Sequence, residues 1–251
     1  MTLNVVGVVC ALAAEARHLG PTTRRQQPLT SLSDGTLLAV SGMGIAAAAR
    51  SARALVEAGA GALVSWGMAG GLDPALTPGT IFLPGEVVSN EGVALVTAPV
   101  WRRRLSEAIA AQHAVPPGGL VIEGRLLTSA KAIGSLADKA TLFRQTGAAA
   151  VDMESLAIAE IAQTHQLPFI AVRVIVDSAG DALPRAVTAA ADSEGHLQVW
   201  RLLGELLRTP ADLAPLLRLA QRYRAANRSL AAVARLGSLA PYAFASAAEG
   251  V

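Results

Sequence analysis

Apolar positions fall into two kinds of run along this 251-residue chain. Short runs at residues 4–11, 36–40, 62–66, 120–127, 148–151 and 169–176, bounded by Gly, Pro or polar clusters, have the length of buried strands. Gly79-Thr-Ile-Phe-Leu-Pro and Gly85-Glu-Val-Val read as two more. Between the runs, apolar residues recur at helical steps. The spacing predicts helices over residues 13–19, 45–58 and about 101–111, one capped by Ser129 that passes Lys131, Leu136, Leu142 and Phe143 to Gly147, and one carrying Ile158, Ile161 and Ala162. Residues 20–35 read as a loop or hairpin, and 91–119 as a variable excursion. Strands alternating with helices place the chain in the α/β class.

Beyond residue 195 the pattern changes. Leu197, Trp200, Leu203, Leu206 and Leu207 recur at helical spacing opposite Arg201 and Arg208. Thr209-Pro-Ala-Asp212 then starts a further helix with Leu213, Leu216, Leu217 and Tyr223. Such stripes ordinarily bury themselves in a core; the alternative is an apolar channel for a lipid, with the Arg face resting on anionic headgroups. One domain over residues 1–236 is expected, including these amphipathic helices from about 196, followed by a small-residue, flexible tail over 237–251.

Hydrophobic residues make up 52% of the chain, ample for one large core. The isoelectric point near 9.1 arises at the C-terminus: residues 196–251 carry seven Arg against three acids, whereas the preceding part is net −2. Only Tyr223 lies among these arginines, so the aromatic interleaving of a nucleic-acid surface is missing. The single Cys10 has no internal disulfide partner and fits a reducing compartment. The first apolar run has no Lys or Arg before it, which argues against a signal peptide and for a cytoplasmic protein.

The chemistry-bearing residues cluster at the ends of expected strands. Asp152 and Glu154 fall where a strand gives way to its helix, and Asp177 falls just past the next strand. Ligands of α/β sheets bind outside the carboxyl ends of strands, so the three acids should share one crevice. The plain alternative is that Asp152 and Asp177 cap helices. Glu15, in the first turn after the first strand, either joins that crevice or complements a helix dipole. Ser41-Gly-Met-Gly44 and Gly67-Met-Ala-Gly-Gly71 supply backbone that a ligand could approach closely. The four histidines have no metal-ligand spacing, and no nucleophile elbow occurs. Carboxylates, glycine-rich backbone and Met walls suit cleavage at a sugar carbon, where a cation-like transition state needs carboxylates and the leaving group needs a proton.

Ser41-Gly-Met-Gly, Ser65-Trp-Gly-Met-Ala-Gly-Gly-Leu, Val151-Asp-Met-Glu-Ser and Val172-Arg-Val-Ile-Val-Asp177 resemble, in order and spacing, the motifs of the nucleoside phosphorylase and methylthioadenosine/adenosylhomocysteine nucleosidase superfamily. Within it, Gly70-Gly-Leu-Asp-Pro-Ala-Leu-Thr-Pro-Gly79, Asp177-Ser-Ala-Gly-Asp-Ala-Leu-Pro184 and the Leu/Arg-rich C-terminus are most similar to the hopanoid-associated phosphorylases, the adenosylhopane nucleosidases. The resemblance implies a three-layer αβα domain around a central mixed, twisted sheet, a homo-oligomer with a dimer favoured, no cofactor and no metal. It implies that Asp177 protonates the purine N7 and that Glu15 activates water. Glu154 would hold the ribose hydroxyls and Met153 would pack on sugar and base. Asp152, Ser41 and Gly42 would belong to the same substrate site, Ile133 would line the adenine pocket, and Gly67, Met68, Ala69, Gly70 and Gly71 would run along base and ribose. Val176 and Met68 stand where serines are usual in the family.

The implied reaction releases adenine from a nucleoside with a bulky 5′ substituent, adenosylhopane giving ribosylhopane. Phosphorolysis of the same substrate, or a methylthioadenosine/adenosylhomocysteine nucleosidase, are the enzymatic alternatives; a nucleoside-binding or lipid-associated scaffold is the non-enzymatic one. Hydrolysis is favoured because Glu15, Ser65 and Met68 occupy places where the phosphorylases carry phosphate ligands. Arg17, Arg50 and Arg173 are the cations left for a phosphate.

Overall fold

The computed structural model describes residues 5–21, 29–112, 114–182 and 213–244. Its centre is β4 (Ala62–Gly71), a ten-residue strand that touches both halves of one mixed sheet. Along its first half it pairs in parallel with β1 (Val6–Cys10), which pairs in parallel with β3 (Leu37–Val40); β2 (Thr30–Ser31) closes that edge antiparallel. On its other side runs β11 (Phe169–Asp177), parallel from Leu63 to Gly70 and followed by β5 (Ile81–Phe82) and β8 (Leu120–Val121). At Gly70 and Gly71, β4 also meets β10 (Ala148–Asp152) antiparallel, and from there the sheet continues through β9 (Arg125–Thr128), β6 (Glu86–Val88) and β7 (Ala94–Val96).

Strand alternation divides the core into two layers. Phe169, Ala171 and Ile175 of β11, with Leu63 and Ala69 of β4, face α2 (Ile45–Glu57) and α5 (Ser155–Thr164). Ile170, Val172 and Val174, with Val64 and Trp66, join the opposite layer, which includes side chains of α3 (Pro99–Ala111) and of α6 (Leu213–Ala234). This is the expected α/β layering with a mixed sheet. By the same alternation Arg173 and Ser65 fall on the α2/α5 side. The remaining helices are α1 (Ala13–Ala16), α4 (Leu136–Thr146) and α7 (Ala240–Phe244).

Several sequence expectations need correction. Residues 120–127 form two short strands rather than one, because Gly124 (φ +102°) takes a left-handed conformation before β9. The helix attributed to a Ser129 cap starts later, at Leu136, where Ser135 Oγ accepts the Asp138 N–H at 3.0 Å; Ser129 Oγ instead closes a turn on Lys131 N–H at 3.2 Å. The strand expected over 62–66 is longer, and the glycine-rich stretch after Trp66 forms the second half of β4. β10, α5 and β11 follow one another as strand, helix and strand, and both strands pair with β4, β11 parallel and β10 antiparallel.

Of the stripe expected along the second C-terminal helix, the side chains of Leu213 and Leu216 lie outside the described residues and Tyr223 lines a cavity. α6 buries Ala226, Leu230 and Val233, while Leu217 is 58% exposed. The stripe at 197–208 lies outside the described residues. The part of the expected tail that is described packs on the core: Leu239 is buried and α7 lies against α3. No described helix is long and apolar enough to cross a membrane. Leu239→Ala should therefore lower the unfolding free energy by about 2–5 kcal/mol; a denaturant titration showing a change under about 0.5 kcal/mol would mean that this segment does not pack.

Candidate active site

The parallel strands β1, β3, β4 and β11 end on one edge of the sheet, and β10, running against β4, brings its own end to the same place. A cavity of about 290 Å³ opens there, at the small end of the range for ligand sites. Glu15 enters it from α1, Glu154 from the turn between β10 and α5, and Asp177 from the end of β11. The three acids thus share one cavity. The strand ends converge for a different reason from the one the sequence suggested: the length of β4 lets two oppositely directed neighbours meet its second half.

Of the residues expected at the site, Glu15, Met68, Ala69, Gly70, Ile133, Asp152, Met153, Glu154 and Asp177 line the cavity, joined by Met43, Lys131, Val176 and Tyr223. Ser41, Gly42, Gly67 and Gly71 do not line it. Ser41 Oγ donates to the Gly42 carbonyl at 2.6 Å and shapes the turn behind Met43. A Cβ on Gly67 would lie 2.7 Å from Arg173 Nη1 and 2.8 Å from Glu15 Oε1, and one on Gly71 would lie 2.9 Å from the Asp177 carbonyl oxygen. These two glycines make room for protein groups.

Each carboxyl group is held by its neighbours. Glu15 Oε1 accepts the Met68 N–H at 2.9 Å, and Oε2 reaches back to the Leu12 N–H at 3.2 Å. Its place in the first turn and its place at the cavity are therefore the same feature. Burial raises its pKa above the ordinary carboxylate value, although Arg173 and the two N–H donors pull the other way. Glu154 Oε1 accepts the Gly44 N–H at 2.9 Å, which ties the Ser41–Gly44 turn to α5. Burial, with Asp152 close by, pushes Glu154 up to about 7.

Asp152 has a different task. Its carboxylate accepts the Ser155 N–H at 3.2 Å, the Thr128 hydroxyl at 2.7 Å and Arg173 Nη2 at 2.6 Å. Asp152 is not the N-cap residue of α5, which is Glu154, but its carboxylate accepts the first N–H of that helix while anchoring a buried arginine. Arg173 Nη2 also donates to Ser65 Oγ at 2.6 Å and Ser155 Oγ at 3.0 Å. Arg17 and Arg50, the other two arginines considered as phosphate ligands, do not reach the cavity; Arg17 turns to Asn227 on α6.

Asp177 caps no described helix. Its Oδ2 accepts a hydrogen bond from Lys139 Nζ, a fully buried ammonium on α4 that also donates to the Ser178 carbonyl at 2.8 Å. Burial raises the Asp177 pKa above the ordinary value, and Lys139 moderates the rise. Sequence reading missed Lys139, because a lysine in a short helix ordinarily points to water. Cys10 is buried and free, and burial lifts its thiol well above the ordinary value, so it is no nucleophile. Among the described residues no cluster of His, Cys, Asp or Glu could hold a metal ion.

Comparison with known proteins agrees with this architecture. The 5′-methylthioadenosine/S-adenosylhomocysteine nucleosidases of Mycobacterium bovis and Mycobacterium tuberculosis are each 26% identical to the chain over 219 residues, covering 70% of it and 86% of the relative. Among solved structures, the Helicobacter pylori 5′-methylthioadenosine/S-adenosylhomocysteine nucleosidase bound to butyl-thio-DADMe-Immucillin-A superposes with a TM-score of 0.65 at 16% identity, covering 94% of this chain and 98% of that one. The futalosine hydrolase of the same organism gives 0.60 at 17% identity, covering 87% and 97%. These likenesses fix the fold. The model of the phosphorylase superfamily matches residues 6–204, most of the chain, and the protein belongs to that superfamily.

Proposed function

We propose that the protein hydrolyses the N-glycosidic bond of an adenine nucleoside with a bulky 5′ substituent, adenosylhopane giving adenine and ribosylhopane. The observation that carries this reading is the convergence of Glu15, Glu154 and Asp177 on one Met-lined cavity. In the proposed reaction Asp177 hands its proton to the purine as the C–N bond breaks, and the bonding electrons leave with the base. Glu15 takes a proton from the water that attacks the sugar carbon. Glu154, as a carboxylate, accepts hydrogen bonds from the two ribose hydroxyls, and Met153 packs beside them. The mycobacterial relatives, named for methylthioadenosine and adenosylhomocysteine, support the second reading, a nucleosidase for those smaller 5′ groups.

The charges around the cavity favour water over phosphate. A phosphate dianion would have to approach Glu15, and the nearby arginine is already committed to Asp152. Lys131 is the only basic side chain that lines the cavity among the described residues. The proposed lipid-bearing substrate would be met by the outer side of α6, where Arg218, Arg224 and Arg228 are exposed.

Asp177→Asn should lower adenine release about 100- to 10,000-fold with folding preserved, since the amide oxygen still accepts from Lys139; activity within about threefold of the parent, well below that range, would remove Asp177 from the acid role. Because the Glu154 carboxyl lies near 7, it gains its charge as pH rises through that value. KM should therefore fall across that window, and Glu154→Gln should raise KM and flatten the dependence.

Mass spectrometry of products from adenosylhopane and methylthioadenosine in oxygen-18 water should show label in the ribosyl product at the same rate with or without phosphate. A strict phosphate requirement with a ribose 1-phosphate product would establish phosphorolysis instead. Co-sedimentation with anionic vesicles at low salt, lost at high salt, is expected of the α6 surface; its absence at low salt would remove the membrane contact.

A further inference from the structure

Lys139 has no part in the reaction as described so far, yet it is the most buried cation of α4 and is aimed at the general acid. An ammonium is a donor only. The oxygen it binds, Asp177 Oδ2, must therefore act as acceptor, and so must the Ser178 carbonyl 2.8 Å away. The other carboxyl oxygen, Oδ1, lies over Gly70, 3.2 Å from where a Cβ would stand, and Gly70 is part of the cavity wall. Among the described residues Oδ1 makes no hydrogen bond. We propose that Lys139 is a positioning residue: by occupying Oδ2 it confines the acidic proton of Asp177 to Oδ1, the oxygen that faces the leaving base.

The role rests on the nucleosidase reading and sharpens it. When the Oδ1–H bond breaks and the N–H bond forms on the purine, the carboxylate left behind already has an ammonium on Oδ2. Lys139 thus favours the deprotonated product of the transfer as well as directing it. The other charged groups facing Asp177 are Asp181, in the segment after β11, and Arg222 of α6, which pair with each other at 2.5 Å; Lys131 and Tyr223 complete the titratable lining on this side. The Asp181–Arg222 pair largely neutralises itself, so Lys139 is the cation whose removal Asp177 should feel.

The sign of the effect follows. Removing a cation beside a carboxyl group lets it keep its proton to higher pH. Lys139→Met should move the alkaline limb of adenine release upward in pH and lower kcat about 10- to 100-fold, part of the general-acid contribution, with little change in KM. Turnover of 4-nitrophenyl β-ribofuranoside, whose leaving group needs no proton, should fall by less than about threefold, outside the range of acid catalysis. Lys139→Arg, which keeps the charge and the volume, should hold the limb near the parent position, and it serves if the Met variant does not fold. Placed on Asp177→Asn, either change should cost little further.

An equal loss on both substrates, with the limb unmoved, would make Lys139 a structural staple and overturn the proposal. A parent that releases adenine from no nucleoside would overturn the nucleosidase reading itself, whereas an active parent with an unmoved limb in both variants overturns only the role of Lys139.

Discussion

The site depends on one buried ion pair, Arg173 with Asp152, at 2.6 Å. Its guanidinium comes from β11, its carboxylate from β10, and the two serines on the same Nη2 come from β4 and α5. Four elements that approach from different directions are thereby set in register at the mouth of the sheet. Such a pair costs more in lost hydration than its attraction returns unless the remaining polar atoms are satisfied. Asp152 meets that condition with Thr128 and the first turn of α5, and Arg173 does so only in part, since its Nε has no partner among the described residues. Losing either partner would leave an uncompensated charge beneath the cavity, a far larger penalty than the pair's own net contribution.

The ratio of charges matters as much as the pair. One arginine faces Asp152, Glu154 and Glu15, so negative charge is in excess on this side of the cavity. Asp152, in direct contact, takes most of the neutralisation, and burial then pushes Glu154 up to about 7 and Glu15 above its usual value. The same arrangement weakens the fold. From the ordinary 4.5 to about 7 the folded protein holds a proton on Glu154 that the unfolded chain has released. Stability attributable to this group therefore falls as pH rises through that window. A ligand that gave the buried carboxylate hydroxyl donors would offset the loss.

Much of this was legible in the sequence where a residue's face follows from its period. The apolar run Phe169–Val176 placed a buried strand before Asp177, and the strand-end acids could be assigned to a common crevice without knowing the strand order. The order itself was not legible. Ala, Gly and Met in the second half of β4 carry weak strand propensity, and nothing in them reveals that β10 will pair there in the opposite sense. Lys139 was hidden for the opposite reason: its side chain obeys a partner 38 residues away rather than its helix. A usable signal existed for Arg173. In a strand whose neighbours on both sides are apolar, an arginine must be buried, and a buried arginine needs a carboxylate that some other element supplies.

The glycines of β4 show how the sheet accommodates these charges. Glycine runs near a binding site are usually taken as space for a ligand. Here Gly67 gives way to Glu15 and Arg173, and Gly71 to the backbone carbonyl of Asp177. Gly70 gives way to Asp177 Oδ1 and is the only one of the three that also borders the cavity. All three glycines thus make room for the protein's own side chains or backbone. A methyl group at Gly67 would crowd the glutamate and the arginine, whereas one at Gly70 would press on Asp177 at the cavity wall. The strand that carries no charge of its own therefore sets how closely the charged groups around it can stand.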